Sequence, residues 1–222
     1  MAKKLIAACL ILCSFILLAD LAYAFEDEDF QLWTTGTLES ALSKHWKAKV
    51  EQEFRFGDNA SQHYYNHTDG SLTYKVNDNL YLGVAYRQIF EKIKGEWKYE
   101  NRPHVNATVK FNLYGFELKN RSRWEYRMRE DKDDTGRYRN KTTISYPFKW
   151  DKFKISPFVA DEIFVDGGKS TWVLNRNRFY VGVKAKLLEN LKAELFYLRQ
   201  SSEKSREWTD YNVLGVQATV VF

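Results

Sequence analysis

A strict two-residue alternation of apolar and charged side chains runs through the middle of the sequence. From Phe116 to Met128, one set of alternate positions carries Phe, Leu, Trp, Tyr and Met with two small polar residues, and the other set carries only Glu, Lys and Arg. A period of two residues is that of a β-strand, whereas a helix repeats every 3.6 residues. The segment is therefore predicted to be a strand with one apolar and one charged face.

The same alternation recurs along the chain in eleven strand-like segments, the first at roughly 30–38. A Lys or Arg side chain that faces lipid near the bilayer midplane costs about 2–4 kcal/mol, so the charged faces are expected to point inward. Only every second residue then has to be apolar, which agrees with a hydrophobic content of 44%. The pattern predicts an all-β fold, a transmembrane antiparallel up-and-down β-barrel of about 10–12 strands. Bacterial single-chain barrels normally have an even number of strands, which would make the count ten or twelve, so the sequence leaves ten, eleven and twelve strands open.

The first residues have the organisation of a secretory signal. A basic Met-Ala-Lys-Lys precedes an apolar run at 5–19, and a small-x-small pattern ends at Ala24. A membrane-spanning helix needs about 20 apolar residues, and this run is shorter. A cleaved signal peptide is therefore predicted at 1–24, followed by the barrel at 25–222.

The last segment ends in Phe222, and alternate positions before it are apolar. This arrangement resembles the closing strand of Gram-negative outer-membrane barrels, which the barrel-assembly machinery reads. The resemblance implies the bacterial outer membrane as location, with outer-membrane lipid, that machinery and periplasmic chaperones as partners. A soluble periplasmic β-barrel is the alternative. The predicted assembly signal consists of Leu214, Val216, Val220 and Phe222.

The connections between the segments are predicted to alternate in length. Short periplasmic turns and longer external loops are the layout of outer-membrane barrels. The short ones are expected near 77–79, 112–115, 150–152 and 188–190, and the long ones near 57–62, 92–98, 130–136, 166–171 and 201–209.

Tryptophans lie beside both kinds of connection. Trp46 and Trp150 are near short turns, and Trp97, Trp172 and Trp208 are near long loops. This distribution predicts an aromatic girdle at each membrane interface.

Several motifs resemble those of an uncharacterised family of Gram-negative outer-membrane β-barrel proteins, a domain of unknown function. Leu32-Trp33-Thr34 and the segment 51–55 resemble its opening, 76–87 resembles its second hairpin, and 175–179 a late one. The resemblance covers nearly the whole chain after Ala24. It implies a fold and a location, and it implies no substrate and no site residues.

A catalytic or metal site has little support in the sequence. His67, Asp69 and Ser71 fall on one predicted inward face, but successive residues on a strand face are about 6–7 Å apart, beyond hydrogen-bonding reach. His63 is predicted to share that face and His104 to point inward, which is too little for a metal site. Both cysteines precede residue 24. We therefore expect no enzyme, cofactor or metal, with a lipid-modifying enzyme as the least favoured alternative.

The predicted inward faces are rich in arginine. Rings of Arg and Lys favour anions, which predicts a small channel or passive transport barrel with a small anionic solute as partner. The alternative is a closed structural or surface-interaction barrel, plugged by its own salt bridges. Nucleic acid is not expected as a partner, because an embedded barrel presents no exposed basic groove. The predicted lumen-lining residues are Arg55, Arg87, Arg102, Arg121, Arg123, Arg127, Arg137, Arg139, Arg176 and Arg178.

Overall fold

A computed structural model describes residues 27–130, 132–148, 154–167, 171–204 and 207–222. In these ranges eleven β-strands form one closed barrel, and they follow one another around the wall in chain order. The predicted signal peptide lies outside the described residues. Among the described residues, no helix is long and apolar enough to cross a membrane. The strands are β1 (Asp29–Ala41), β2 (Trp46–Gly57), β3 (Gln62–Lys75), β4 (Leu80–Ile93), β5 (Glu96–Leu113), β6 (Phe116–Arg129), β7 (Thr135–Ser145), β8 (Ser156–Gly167), β9 (Trp172–Leu188), β10 (Leu191–Lys204) and β11 (Glu207–Val221).

The barrel closes through a parallel pair of strands. All other neighbours are antiparallel, but β1 and β11 run in the same direction, with Trp33 opposite Gly215. An up-and-down sheet reverses at every step, so its first and eleventh strands must point the same way. The predicted all-β barrel is confirmed, and it has eleven strands, because the segment at 30–38 pairs on both sides.

Side chains alternate between the interior and the outer wall. On β6, Arg123 and Glu125 are buried, while Trp124 and Tyr126 lie on the outer wall and are each 51% exposed. Exposed apolar side chains occur on the outer faces of strands all around the barrel. We call the end at which β11 finishes the lower end, and the end at which β1 begins the upper end.

The predicted alternation of short and long connections is wrong. At the upper end the strands extend into the segments that the sequence predicts as long loops. For example, residues 94–95 alone connect β4 to β5. Lys94 and Gly95 have φ values of 52° and 85°, which is the geometry of a two-residue type I′ hairpin turn. The connection at 146–155 lies at the lower end and is longer. Polar residues near 92–98 were expected to form a loop, but inward-facing strand positions hold such residues equally well. Trp150 lies outside the described residues.

A β-bulge changes the facing of the first residues of β3. The register against β2 shifts at this point, and Tyr64 is the extra residue. His63 therefore lies on the outer wall, where its ring centroid is 5.1 Å from that of Trp97, and His67 is buried inside. The prediction that His63 and His67 share one face is wrong, because a bulge adds one residue to the period of two.

One sector of the interior is apolar and is formed by β8 to β11 with β1. In this sector, large rings alternate with glycines along a row of cross-strand neighbours. A Cβ atom at Gly182 would lie only 2.6 Å from the backbone oxygen of Leu195, so the neighbouring rings fill the space that the glycines leave. The row consists of Phe158, Gly182, Phe196, Gly215 and Trp33.

Candidate functional site

The opposite sector of the interior is a continuous network of ion pairs. At its centre, the fully buried carboxylate of Glu125 lies 2.9, 3.4 and 3.5 Å from the guanidinium nitrogens of Arg139, Arg102 and Arg123. These groups come from three neighbouring strands, β5, β6 and β7. Because Glu125 alternates with apolar residues on β6, its strand position directs it inward.

A second buried carboxylate extends the network to β8. Glu162 accepts hydrogen bonds from Arg139 and Arg121, each at 2.8 Å, and from the Tyr180 hydroxyl at 3.0 Å. Arg139 on β7 therefore bridges Glu125 on β6 and Glu162 on β8, along three adjacent strands. We call the group formed by Arg102, Arg123, Glu125, Arg139 and Glu162 the waist.

Towards the upper end the same type of pairing continues. Glu100 lies 2.7 Å from Arg102 and 2.8 Å from Arg127. Arg127 also lies 3.3 Å from Asp166, which accepts two hydrogen bonds from Arg137. The waist and the upper interior are therefore linked by arginines that each contact two carboxylates.

His67 and Asp69, which the sequence places on one inward face, are also paired with charged side chains on the neighbouring strands. In the described chain, the ring nitrogens of His67 lie 3.2 Å from Glu51 and 3.6 Å from Glu53 on the neighbouring strand. Asp69 instead accepts a hydrogen bond from Arg87 at 2.8 Å and lies 3.6 Å from His104. Within the described ranges, no group of three or more His, Cys, Asp or Glu side chains is placed to hold a metal ion. His67 and Asp69 are therefore each held by charged side chains of neighbouring strands.

Buried arginines outnumber buried carboxylates. Among the described residues, seven arginines and four acidic residues are buried. Several guanidinium groups lie on aromatic rings: Arg55 and Arg178 are 3.7 and 4.7 Å from the ring centroid of Trp33. A cation over a ring face contributes about 0.5–2 kcal/mol, most where water is excluded. Phe164 is surrounded in the same way by Arg137, Arg139, Arg176 and Arg178.

Sequence reasoning missed these two rings. Trp33 and Phe164 lie at inward positions of β1 and β8, and both are almost fully buried. The alternation within each strand shows that both residues point inward. Sequence reasoning, however, predicts charged side chains at inward positions and not aromatic rings.

The structure places the ten predicted arginines inside the barrel, where they pack against carboxylates, amides and rings. Arg121 and Arg127 contact Glu162 and Glu100, and Arg178 donates a hydrogen bond to Gln200 at 2.7 Å. In the predicted assembly signal, Leu214, Val216 and Phe222 are exposed and Val220 is partly buried; all four lie on the outward side of the last strand.

The sequence was also compared with known proteins. Residues 30–211 match the model of a family described as "Protein of unknown function (DUF2490)". The matched region extends from β1 into β11 and so takes in nearly the whole barrel wall. No curated protein matches the chain.

Proposed function

We propose that this chain, which belongs to the DUF2490 family of proteins of unknown function, is an integral outer-membrane β-barrel whose interior is closed by its own ion pairs. The observation that carries the proposal is that charged side chains lie inside the barrel and apolar side chains outside, the opposite of the distribution in a soluble protein. Many charged side chains are buried inside the barrel, and exposed apolar side chains cover the outer wall. Soluble proteins rarely expose apolar patches larger than a few hundred Å², so a wall of this kind fits a lipid environment.

The height of the apolar wall agrees with a bilayer. The outward face of β2 runs from Trp46 to Phe56. With a rise of about 3.3 Å per residue and a tilt of about 40°, this distance is about 25 Å along the barrel axis, the height of the apolar band of outer-membrane barrels. Exposed aromatic side chains lie near both ends: Trp46, Tyr74, Phe116 and Tyr146 at the lower end, and Trp97, Tyr99, Trp172 and Trp208 at the upper end.

The waist favours a closed barrel over an open channel. The side chains of Glu125 and Glu162 are at most 1% exposed, and that of Arg139, which lies between them on the adjacent strand, is 8% exposed. Side chains that are exposed so little leave little space for water beside them. The barrel is therefore proposed to act as a structural or surface-interaction protein, through the groups that it presents at its two ends.

The first test is the electrical conductance of the refolded chain in a planar bilayer. We expect an inserted barrel without discrete current steps, because the waist excludes mobile ions. Protection of the wall from added protease serves as the control for insertion. Reproducible steps with anion preference from the unmodified chain would contradict the closed barrel.

A second candidate function is a passive anion channel that opens from this closed state. The surplus of buried arginine over buried carboxylate favours it, because rings of positive charge select anions. If current steps are observed, the double substitution Arg121→Glu with Arg123→Glu should shift the ion preference towards cations.

We propose no catalytic role for the interior. His67 is held by Glu51 and Glu53, and Asp69 by Arg87. A lipid-processing activity that disappears on His67→Ala, while the barrel still folds, would contradict this proposal.

A further inference from the structure

Four lysines from four strands converge inside the lower end of the barrel. Lys110 on β5 and Lys119 on β6 are direct cross-strand neighbours. Lys119 also lies within electrostatic reach of Lys141 on β7 and Lys184 on β9. Lys110 and Lys119 are exposed, and Lys141 and Lys184 are partly buried, so solutes can reach the group. We call these four residues the lysine vestibule.

The ammonium groups of the vestibule rest on aromatic rings. The Nζ atoms of Lys110, Lys141 and Lys184 lie 4.5, 3.4 and 4.6 Å from ring centroids. Ring faces attract cations, but they carry no net charge and leave the positive charge of the group unneutralised. The rings are those of Tyr81, Tyr180 and Phe158 respectively.

The nearby carboxylates have other partners or lie farther away. Glu39 pairs with Lys47 at 2.9 Å, and Glu162 pairs with two arginines at 2.8 Å. Glu194 lies opposite Lys184 and Glu162 lies opposite Lys141 on the neighbouring strands, but neither carboxylate forms an ion pair with the lysine that it faces. In the part of the chain that the structure describes, no carboxylate forms an ion pair within 4.0 Å of the vestibule lysines.

Like charges in direct cross-strand contact destabilise a sheet. Lys110 faces Lys119, and just above them Arg121 faces Lys141, both pairs on the inward side. At the waist such repulsion is offset by ion pairs with buried carboxylates, whereas the carboxylates opposite Lys141 and Lys184 form no ion pair with these two lysines and offset it less. An anion that entered from the lower end would supply the missing negative charge.

We infer that the lysine vestibule binds a small soluble anion with several phosphate charges. Lysine is a compact, strongly hydrated point charge and a common phosphate ligand. A group of positive charges inside low-dielectric walls concentrates multivalent anions. Lipid headgroups carry the same phosphate chemistry, but the barrel wall separates the vestibule from lipid, so a dissolved anion is the proposed source. Because the waist is closed, this anion enters and leaves by the lower end.

The experiment is calorimetric titration of the refolded chain in a non-ionic detergent with inorganic pyrophosphate, with chloride of equal ionic strength as reference. We expect Lys119→Gln with Lys141→Gln to weaken binding by at least about tenfold, because two charge-assisted contacts are lost. Pyrophosphate should raise the thermal unfolding midpoint of the unmodified chain but not of this variant. Without ligand, the variant should be at least as stable as the unmodified chain, because repulsion is relieved.

A matched control is Lys94→Gln with Lys132→Gln, which removes two lysines at the upper end and should leave binding unchanged. Absence of binding at millimolar pyrophosphate, or equal binding by the vestibule variant, would overturn the inference. Displacement of pyrophosphate by an added anionic phospholipid would overturn the assignment to a dissolved anion. If the inserted barrel shows no current steps and does not bind pyrophosphate, the vestibule inference is overturned and the closed barrel is still supported. If the barrel conducts ions and binds pyrophosphate, the closed barrel is contradicted and the vestibule inference is supported.

Discussion

Replacement of Glu125 by alanine is expected to lower the free energy of unfolding of the barrel by about 3–5 kcal/mol. The carboxylate is fully buried and lies within 3.5 Å of three guanidinium groups. Its removal takes one of two carboxylate partners from Arg102 and Arg139, and it takes from Arg123 the carboxylate that lies 3.5 Å away, so buried positive charge is left less balanced. Urea unfolding of the refolded variant, followed by tryptophan fluorescence, measures the loss.

One further variant separates the effect of charge from that of shape at position 125, and another serves as a control at an exposed carboxylate. Glu125→Gln keeps the volume and one accepting oxygen, so its loss should be smaller than that of alanine. Glu189→Gln removes an exposed carboxylate in the turn after β9, where Glu189 pairs with Lys186. This variant should leave the unfolding curve unchanged. An alanine variant as stable as the unmodified chain would show that the waist network does not hold the barrel together.

Replacement of Gly182 by alanine is expected to destabilise the barrel by about 3 kcal/mol, the upper range for overpacking. The new Cβ atom would lie 2.6 Å from both the Leu195 backbone oxygen and the Phe196 Cβ atom, and 2.8 Å from the Phe158 ring. The first of these contacts involves backbone, which a side-chain rotation cannot relieve. The refolding yield and the unfolding midpoint in urea report the effect.

Gly70 offers a matched control for this substitution. It also lies within a strand, but a Cβ atom there would meet nothing within 4 Å. Gly70→Ala should be neutral or slightly stabilising, because alanine restricts the unfolded chain. Equal stability of the two alanine variants would contradict the conclusion that neighbouring aromatic rings fill the space beside Gly182.

The facing of side chains could be predicted from the sequence because it is a local property. On β6 the apolar and charged sets are separated by position alone, so Trp124 is outside and Glu125 inside whatever the neighbouring strand is. The same property placed the arginines inside the barrel. The resemblance to a family of unknown function is also confirmed.

Features that depend on pairing could not be predicted in the same way. The bulge at Tyr64 and the parallel closure of β1 on β11 depend on the partner strand and on the number of strands. The joint contact of Arg139 with Glu125 and Glu162 requires the registers of three strands at once. Alternation within one strand contains no information about register, so the pairing of particular arginines with particular carboxylates at the waist could not be predicted.

The parallel closure also limits how the two ends of the chain can be joined. Since β1 begins at the upper end and β11 finishes at the lower end, a covalent link between these points must cross the full height of the wall, about 25 Å. Circular permutation with a short linker is therefore forbidden in this barrel, whereas an even-stranded barrel allows it. Epitopes fused before β1 and after β11 would accordingly lie at opposite ends of the barrel.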